Sequence, residues 1–254
     1  MSKILLITHI LATIISLNIS AQQLVTDRPD QTESSVTVPI KSFQIETGLL
    51  TDFNTHFGIS ERQYLIPTTL LRYGLTKNVE LRFAEEIAYR KSSLDSDGNF
   101  GVNDLELGVK IQILKKENIN SEIAFLTHLV IPSGSDNFTN GNVGTINKIA
   151  VSHSINDFLD FGYNVGYNYF GIGRGDLIYS MALGVGITDF IGAYAETYGE
   201  VVEFNNPFSN FDYGFTYLIR ENLQIDLSFG IGLNYNMNYF SLGCSWNIPG
   251  KQMD

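Results

Sequence analysis

The stretch LQIDLSFGIGLN, residues 223–234, decides the fold. Leu223, Ile225, Leu227, Phe229, Ile231 and Leu233 share one parity; Gln224, Asp226, Ser228, Gly230, Gly232 and Asn234 share the other. Strict alternation over so long a run is the pattern of a β-strand with one apolar face. FLDFGYNVGYNYF (158–170) and DLELGVKIQIL (104–114) repeat it. Strands of soluble proteins average about five or six residues, whereas a tilted strand crossing a bilayer needs about nine to eleven. The length of these runs points to membrane-spanning strands.

Working outward, period two dominates from Ser42 to Trp246 and divides into twelve segments. They run over 42–53, 61–74, 79–90, 103–114, 121–131, 144–155, 158–170, 176–187, 191–204, 209–219, 223–233 and 238–247. The connections alternate in character. Short turns fall near 76–79, 155–157, 188–190 and 220–222, with 115–120 a longer member of the same set; Gly-, Asn- and Ser-rich loops fall at 91–102, 132–143, 171–175 and 205–208. One rim of tight turns and one of longer loops is the asymmetry of outer-membrane barrels. The expected fold is therefore all-β: a transmembrane antiparallel β-barrel of about twelve strands, with short periplasmic turns and longer external loops.

The chain's beginning reads as an export signal, 1–21: Lys3, the apolar stretch Ile4 to Ile15, and the small-residue exit Ser20-Ala21. The remaining organisation is an N-terminal periplasmic segment or plug at 22–41, the barrel at 42–247 and a tail at 248–254. No later segment approaches the roughly 18 uninterrupted apolar residues of a transmembrane helix. The formal net charge of -11 argues against nucleic acid, whose phosphates demand a basic surface. A single cysteine, Cys244, excludes an intramolecular disulfide framework and reads as a small apolar strand residue.

Alternation alone leaves two orientations open. A soluble lipocalin-like barrel would turn the bulky face inward. Twelve strands of Leu, Phe and Tyr would overfill such an interior, while the Gly-rich opposite face suits a lumen. Charges are also nearly absent from the apolar faces, Glu85 being the clearest exception and the mark of a bulge or a register error. Tyr73, Tyr89, Tyr169, Phe170, Tyr217 and Tyr239 fall near strand ends, where interfacial aromatic belts are expected. The lumen then carries Glu46, Glu80, Glu86, Glu106, Glu122, Asp160, Glu196, Glu200, Asp212 and Asp226, faced by Arg72, Arg82, Lys110 and Lys148. Such charges either pair in a packed interior or line an acid-biased pathway that disfavours anions. Asp27, Arg28, Pro29 and Asp30 are the candidates for a plug.

TDRPDQTESSVTVPIKSFQIETG (26–48), with its Arg28-Pro29 and its approach through Val38-Pro39 to Phe43-Gln44-Ile45-Glu46, resembles the start of a family of bacterial outer-membrane transporters. That family is named for the MetA-pathway of phenol degradation. LLRYGLTKNVELRF (70–83) and GVNDLELGVKIQIL (101–114) are similar to it as well. The resemblance implies a membrane barrel that moves small, aromatic or hydrophobic compounds. One departure is that NIPGKQMD follows Trp246, where such barrels commonly end on an aromatic strand terminus.

Other constellations are set aside. Ser152, His153, Ser154 and Asn156 could suggest a lipolytic barrel enzyme, but adjacent strand residues point to opposite faces, so His153 is poorly placed to activate either serine. Asp95, Asp97, Asn99 and Glu106 have calcium-like spacing, yet Phe100 stands where an EF-hand loop needs glycine. Arg174-Gly175-Asp176 spells an adhesion tripeptide at a turn, and His56 and His128 lack metal-ligand spacing. The expectation is an outer-membrane channel or transporter without catalysis, cofactor or metal. Its partners are outer-membrane lipid, a small-molecule solute and the barrel insertion machinery. The alternatives are a non-transporting structural or adhesion barrel and, behind it, an outer-membrane lipolytic enzyme.

Overall fold

The structure is a computed structural model and describes residues 24–56, 58–95, 97–116 and 120–250. The export signal at 1–21 lies outside the described residues. The chain forms β1 (Phe43–His56), β2 (Ile59–Gly74), β3 (Val79–Ser92), β4 (Asn99–Val102), β5 (Leu105–Lys116), β6 (Ser121–Ile131) and β7 (Gly144–Asn156). It continues with β8 (Leu159–Tyr169), β9 (Asp176–Gly186), β10 (Ile191–Val202), β11 (Asn206–Arg220), β12 (Leu223–Gly232) and β13 (Asn236–Ile248). Each pairs antiparallel with its neighbour. The last strand pairs with the first, from Phe43 opposite Ile248 to Thr55 opposite Asn236, so the sheet closes on itself. β4 and β5 occupy one position in the wall, because β3 pairs with β5 over Val79–Ala84 and with β4 over Ile87–Arg90. The barrel is thus twelve strands around, one of them interrupted at Asn103-Asp104.

Burial inverts the pattern of a soluble protein. Along β12, Asp226 is 2% exposed and Ser228 0%, whereas Phe229 is 36% and Ile231 51% exposed. β13 repeats the alternation over its whole length. An apolar outer face and a polar interior suit lipid outside, where an Arg or Lys at the bilayer midplane would cost about 2–4 kcal/mol. The soluble-barrel orientation is overturned by this inversion.

Several expectations need correction. Residues 91–102, read as an outer loop, are half strand: β3 runs to Ser92 and β4 supplies Asn99–Val102. Asn206–Phe208, also read as loop, belongs to β11, where Asn206 sits opposite Val202 and Phe208 opposite Glu200. The loop rim is therefore less uneven than expected, because the connections at 57–58, 203–205 and 233–235 are as tight as those opposite. Gly58, at φ 81, serves the first of them. β13 carries its pairing two residues beyond Trp246, to Ile248. Glu85 lies opposite Thr69, close to a register shift between Leu65 and Thr68. Pro67 stands in that gap with no N–H to give to the ladder, which accounts for a bulge there.

Two of the six aromatics assigned to interfacial belts face inward. Tyr239 is buried in the lumen, on the parity of Ser241 and Ser245, and its hydroxyl donates to Asp212. The absent side chain of Gly230, its partner across β12, makes room for the ring. Phe170 lines the outer cavity described below. Tyr73, Tyr169 and Tyr217 are exposed on the outside, as an interfacial role requires.

Candidate functional site

Residues 24–42 run through the lumen and are held by side chains from most of the wall. The closest docking is at Asp27. Lys110 Nζ lies 2.8 and 3.0 Å from its two carboxylate oxygens, Arg82 donates at 2.6 Å and Arg72 stands at 3.3 Å. The backbone N–H of Ser34 closes the shell at 2.9 Å. Burial alone would raise the Asp27 carboxyl, but the charges of Arg72, Lys110 and Arg82 outweigh it and hold it well below the usual carboxylate range. Glu46 and Glu80 complete the cluster from the wall, Arg72 bonding Glu46 at 2.7 Å and Glu80 at 2.8 Å. All five wall side chains are buried.

Glu33 makes a second contact on the same side, to Arg82 at 2.9 Å and Lys148 at 3.5 Å. Arg28 reaches the wall around the closing seam, donating to Asp226 on β12 at 3.0 Å and to Ser241 on β13 at 2.9 Å, with a further bond to Thr68 on β2. Between these anchors the backbone N–H groups of Asp27, Gln31, Glu33 and Val38 donate to Glu46, Glu196, Asn164 and Glu80. Thr32 adds side-chain bonds to Ser180 and Glu196. Asp30 meets a different field. Burial first, then the nearby Glu196 carboxylate, pushes its carboxyl well above the usual range. Pro29 follows Arg28 at the edge of the inner cavity.

The candidate lumen residues sort by side of the barrel. Arg72, Arg82, Lys110 and Lys148, on β2, β3, β5 and β7, form a basic wall threaded with Glu46 and Glu80. Glu196, Asp212 and Asp226, on β10, β11 and β12, form an acidic wall and are buried. The lumen is bipolar, where the sequence suggested a general acid bias. Glu86 and Glu106 line a cavity of about 750 Å³ on the loop side, together with Arg28, Glu33, Phe138 and Phe170. Glu122 and Asp160 line one of about 740 Å³ on the turn side, with Leu24, Arg28 and Asp30. Glu200 borders a smaller loop-side cavity of about 380 Å³, lined also by Tyr179, Tyr198 and Tyr235.

His128 was not legible as part of this site. Its Nε2 accepts from Arg82 Nε at 3.0 Å and its Nδ1 lies 2.6 Å from Glu106, so the ring links Arg82 of the basic cluster to Glu106, and all three line the cavity on the loop side. Only the neighbourhood of β3, β5 and β6 in the wall reveals it. Among the groups set aside, Ser152 turns inward to the backbone N–H of Ser35, while the next residue, His153, pairs with Ser121 on the other face. His153 there stacks on Phe161. Asn99 pairs with Arg90 on β3 while Glu106 turns to His128. Among the described residues no group of His, Cys, Asp or Glu is arranged to hold a metal ion. Arg174 and Asp176 are both tied to Glu203 in the neighbouring loop.

A closed twelve-strand barrel, apolar outside and charged within, defines an outer-membrane β-barrel protein. The chain belongs to the family described as "Putative MetA-pathway of phenol degradation", whose model matches residues 26–244. No curated protein matches the sequence. Among solved structures it is similar to the COG4313 outer membrane channel from Pseudomonas putida F1, with a TM-score of 0.72 and 11% identity. That match covers 84% of this chain and 98% of the other. It is also similar to the KdgM porin solved with disordered oligogalacturonate, at TM-score 0.57 and 11% identity, covering 81% and 99%. The NanC porin follows at 0.51 and 9%, covering 79% and 98%. At these identities the likeness concerns the fold.

Proposed function

We propose that the protein is an outer-membrane channel for small solutes, closed at rest by residues 24–42 acting as a plug. The observation that carries this reading is the division of one lumen into two cavities, about 750 Å³ toward the loops and 740 Å³ toward the turns. Arg28 lines both, so the segment stands where the two would join. A filler with no role in passage would be expected to pack with apolar side chains. This one is held by charge pairs and backbone hydrogen bonds, which exchange with water or solute. The family label, and the outer membrane channel and porins of similar fold, agree with passage of small molecules. A structural or adhesion role finds less support, since three of the outer connections are tight turns.

Single-channel conductance of the refolded protein in planar bilayers, with and without residues 22–41, tests the reading. Conductance steps that appear or enlarge in the shortened protein are the expected result. Silence in both forms, from protein that still shows heat-modifiable barrel migration, overturns it in favour of a structural barrel.

A further inference from the structure

We propose that the basic cluster of Arg72, Arg82 and Lys110 is a recognition site for the carboxylate of a small monoanionic solute, and that Asp27 is its resident surrogate. The proposal rests on the reading of residues 24–42 as a displaceable plug.

The wall brings together three cations, Arg72, Arg82 and Lys110, and two carboxylates: Arg72 pairs with Glu46 and Glu80, Arg82 pairs with Glu80, and Lys110 pairs with neither but with Asp27. The wall alone therefore keeps one uncompensated positive charge among fully buried groups. An unpaired buried charge is expensive, typically several kcal/mol per ion even after relaxation. Glu33 and Lys148 add one further anion and one further cation at the edge of the cluster, so the remaining charge is closed by Asp27, as a carboxylate gripped at both oxygens. A site that lacks one negative charge when the plug leaves must take an anion or hold the plug. Guanidinium and ammonium donors converging on two oxygens select a carboxylate over a spherical ion of the same charge.

The surroundings fit a solute with a body behind that carboxylate. Arg82 and Glu46 of the cluster also line the outer cavity, which offers Leu126, Val130, Phe138 and Phe170 as apolar surface. A carboxylate arriving from the loop side meets Arg82 first, on the path Glu33 now occupies at 2.9 Å. Anion arrival and plug release then share one binding site, so each drives the other.

Isothermal titration calorimetry on the detergent-purified full chain, with benzoate and with benzyl alcohol as its uncharged counterpart, tests the site. Asp27→Asn keeps the size of the surrogate and removes its charge. This variant should bind benzoate at least tenfold more tightly than the unaltered protein does, and at least tenfold more tightly than it binds benzyl alcohol. Adding Lys110→Met should abolish the gain. Equal binding of the two probes, or a gain that survives Lys110→Met, overturns the proposal. Should Asp27→Asn fail to give a heat-modifiable barrel, limited proteolysis of the unaltered protein decides. Benzoate should expose the 24–42 segment to cleavage and benzyl alcohol should not; no difference overturns the proposal. Neither readout needs conduction, so a silent bilayer would remove the channel reading and leave this one standing, while failed binding beside measured conductance would remove only this one.

Discussion

Arg28 occupies space that two glycines leave open. Gly48 and Gly243 face each other across β1 and β13, and a Cβ on either would overlap the Arg28 guanidinium. Gly74 stands in the same relation to the backbone at Val38 and Pro39, and a Cβ at Gly162 would come within 3.3 Å of Thr32. Some of the small residues of the inner face thus make room for the 24–42 segment, as others make room for wall side chains such as Tyr239 and His128. The consequence is testable at one atom. Gly243→Ala adds a methyl group where the guanidinium now lies, with no change of charge. The strand tolerates it, since Ala in a strand interior is about 0.5–1 kcal/mol better than Gly on backbone entropy. Arg28 must then leave Asp226 and Ser241, and separating a largely buried pair costs about 3 kcal/mol at the low end of the usual range. The expected outcome is a barrel of unchanged heat-modifiable migration whose 24–42 segment is cleaved markedly faster by added protease. Unchanged protection of that segment would mean that Arg28 contributes nothing to holding it.

Among the elements, the longest loop, 132–143, does not project outward. The Ser135 N–H donates to the Val102 carbonyl and the Val102 N–H to the Ser135 hydroxyl, Gly134 donates to Asp104, and Phe138 is driven into a small apolar cluster with Leu65 and Ala88. The Arg90 guanidinium lies 5.3 Å from the centre of the Phe138 ring. Truncation by Phe138→Ala should release the loop, at a cost of about 3 kcal/mol, the lower end for a buried Phe. The check is faster proteolysis within 132–143 together with a larger conductance in a protein already lacking residues 22–41; a loop that stays protected would show that the backbone bonds alone hold it. This inward fold was not legible in the sequence, because a Gly- and Asn-rich run says where a loop is and nothing of where it lies. The strands were legible, since parity in a run such as 223–234 is itself the geometry of the pleat. The same parity groups Arg72, Arg82 and Lys110 on one face. It could not group them on one side of the barrel, nor place His128 between Arg82 and Glu106, because both depend on which strands are neighbours around the ring. Tyr239 failed for a related reason: nearness to a strand end was weighed above its parity.

For the molecule as a whole, the defining event is closure of the ring. The first and last strands of the barrel pair with each other, so this pairing carries the largest sequence separation in the fold. Its register also controls the site, because a slip of one residue would turn Glu46 to lipid and Thr47 to the lumen. The chain carries one cysteine, Cys244, and Thr47 lies directly opposite it across the closing seam. Directly opposed residues of an antiparallel pair have Cα atoms about 4.5–5.5 Å apart, within the range a disulfide spans. Thr47→Cys should therefore oxidise to a bond between positions 197 residues apart in sequence, joining the two ends of the sheet. With only two thiols present no other intramolecular bond can form. The boiled, unreduced protein should then run ahead of its reduced form on a denaturing gel, since the closed loop restricts expansion of the unfolded chain. Ile45→Cys serves as the control: it stands opposite Trp246, two residues along the same face, and should cross-link poorly. If the control forms the bond and Thr47→Cys does not, the seam closes two residues out of this register. If neither forms it, β1 and β13 are not partners and the sheet is open.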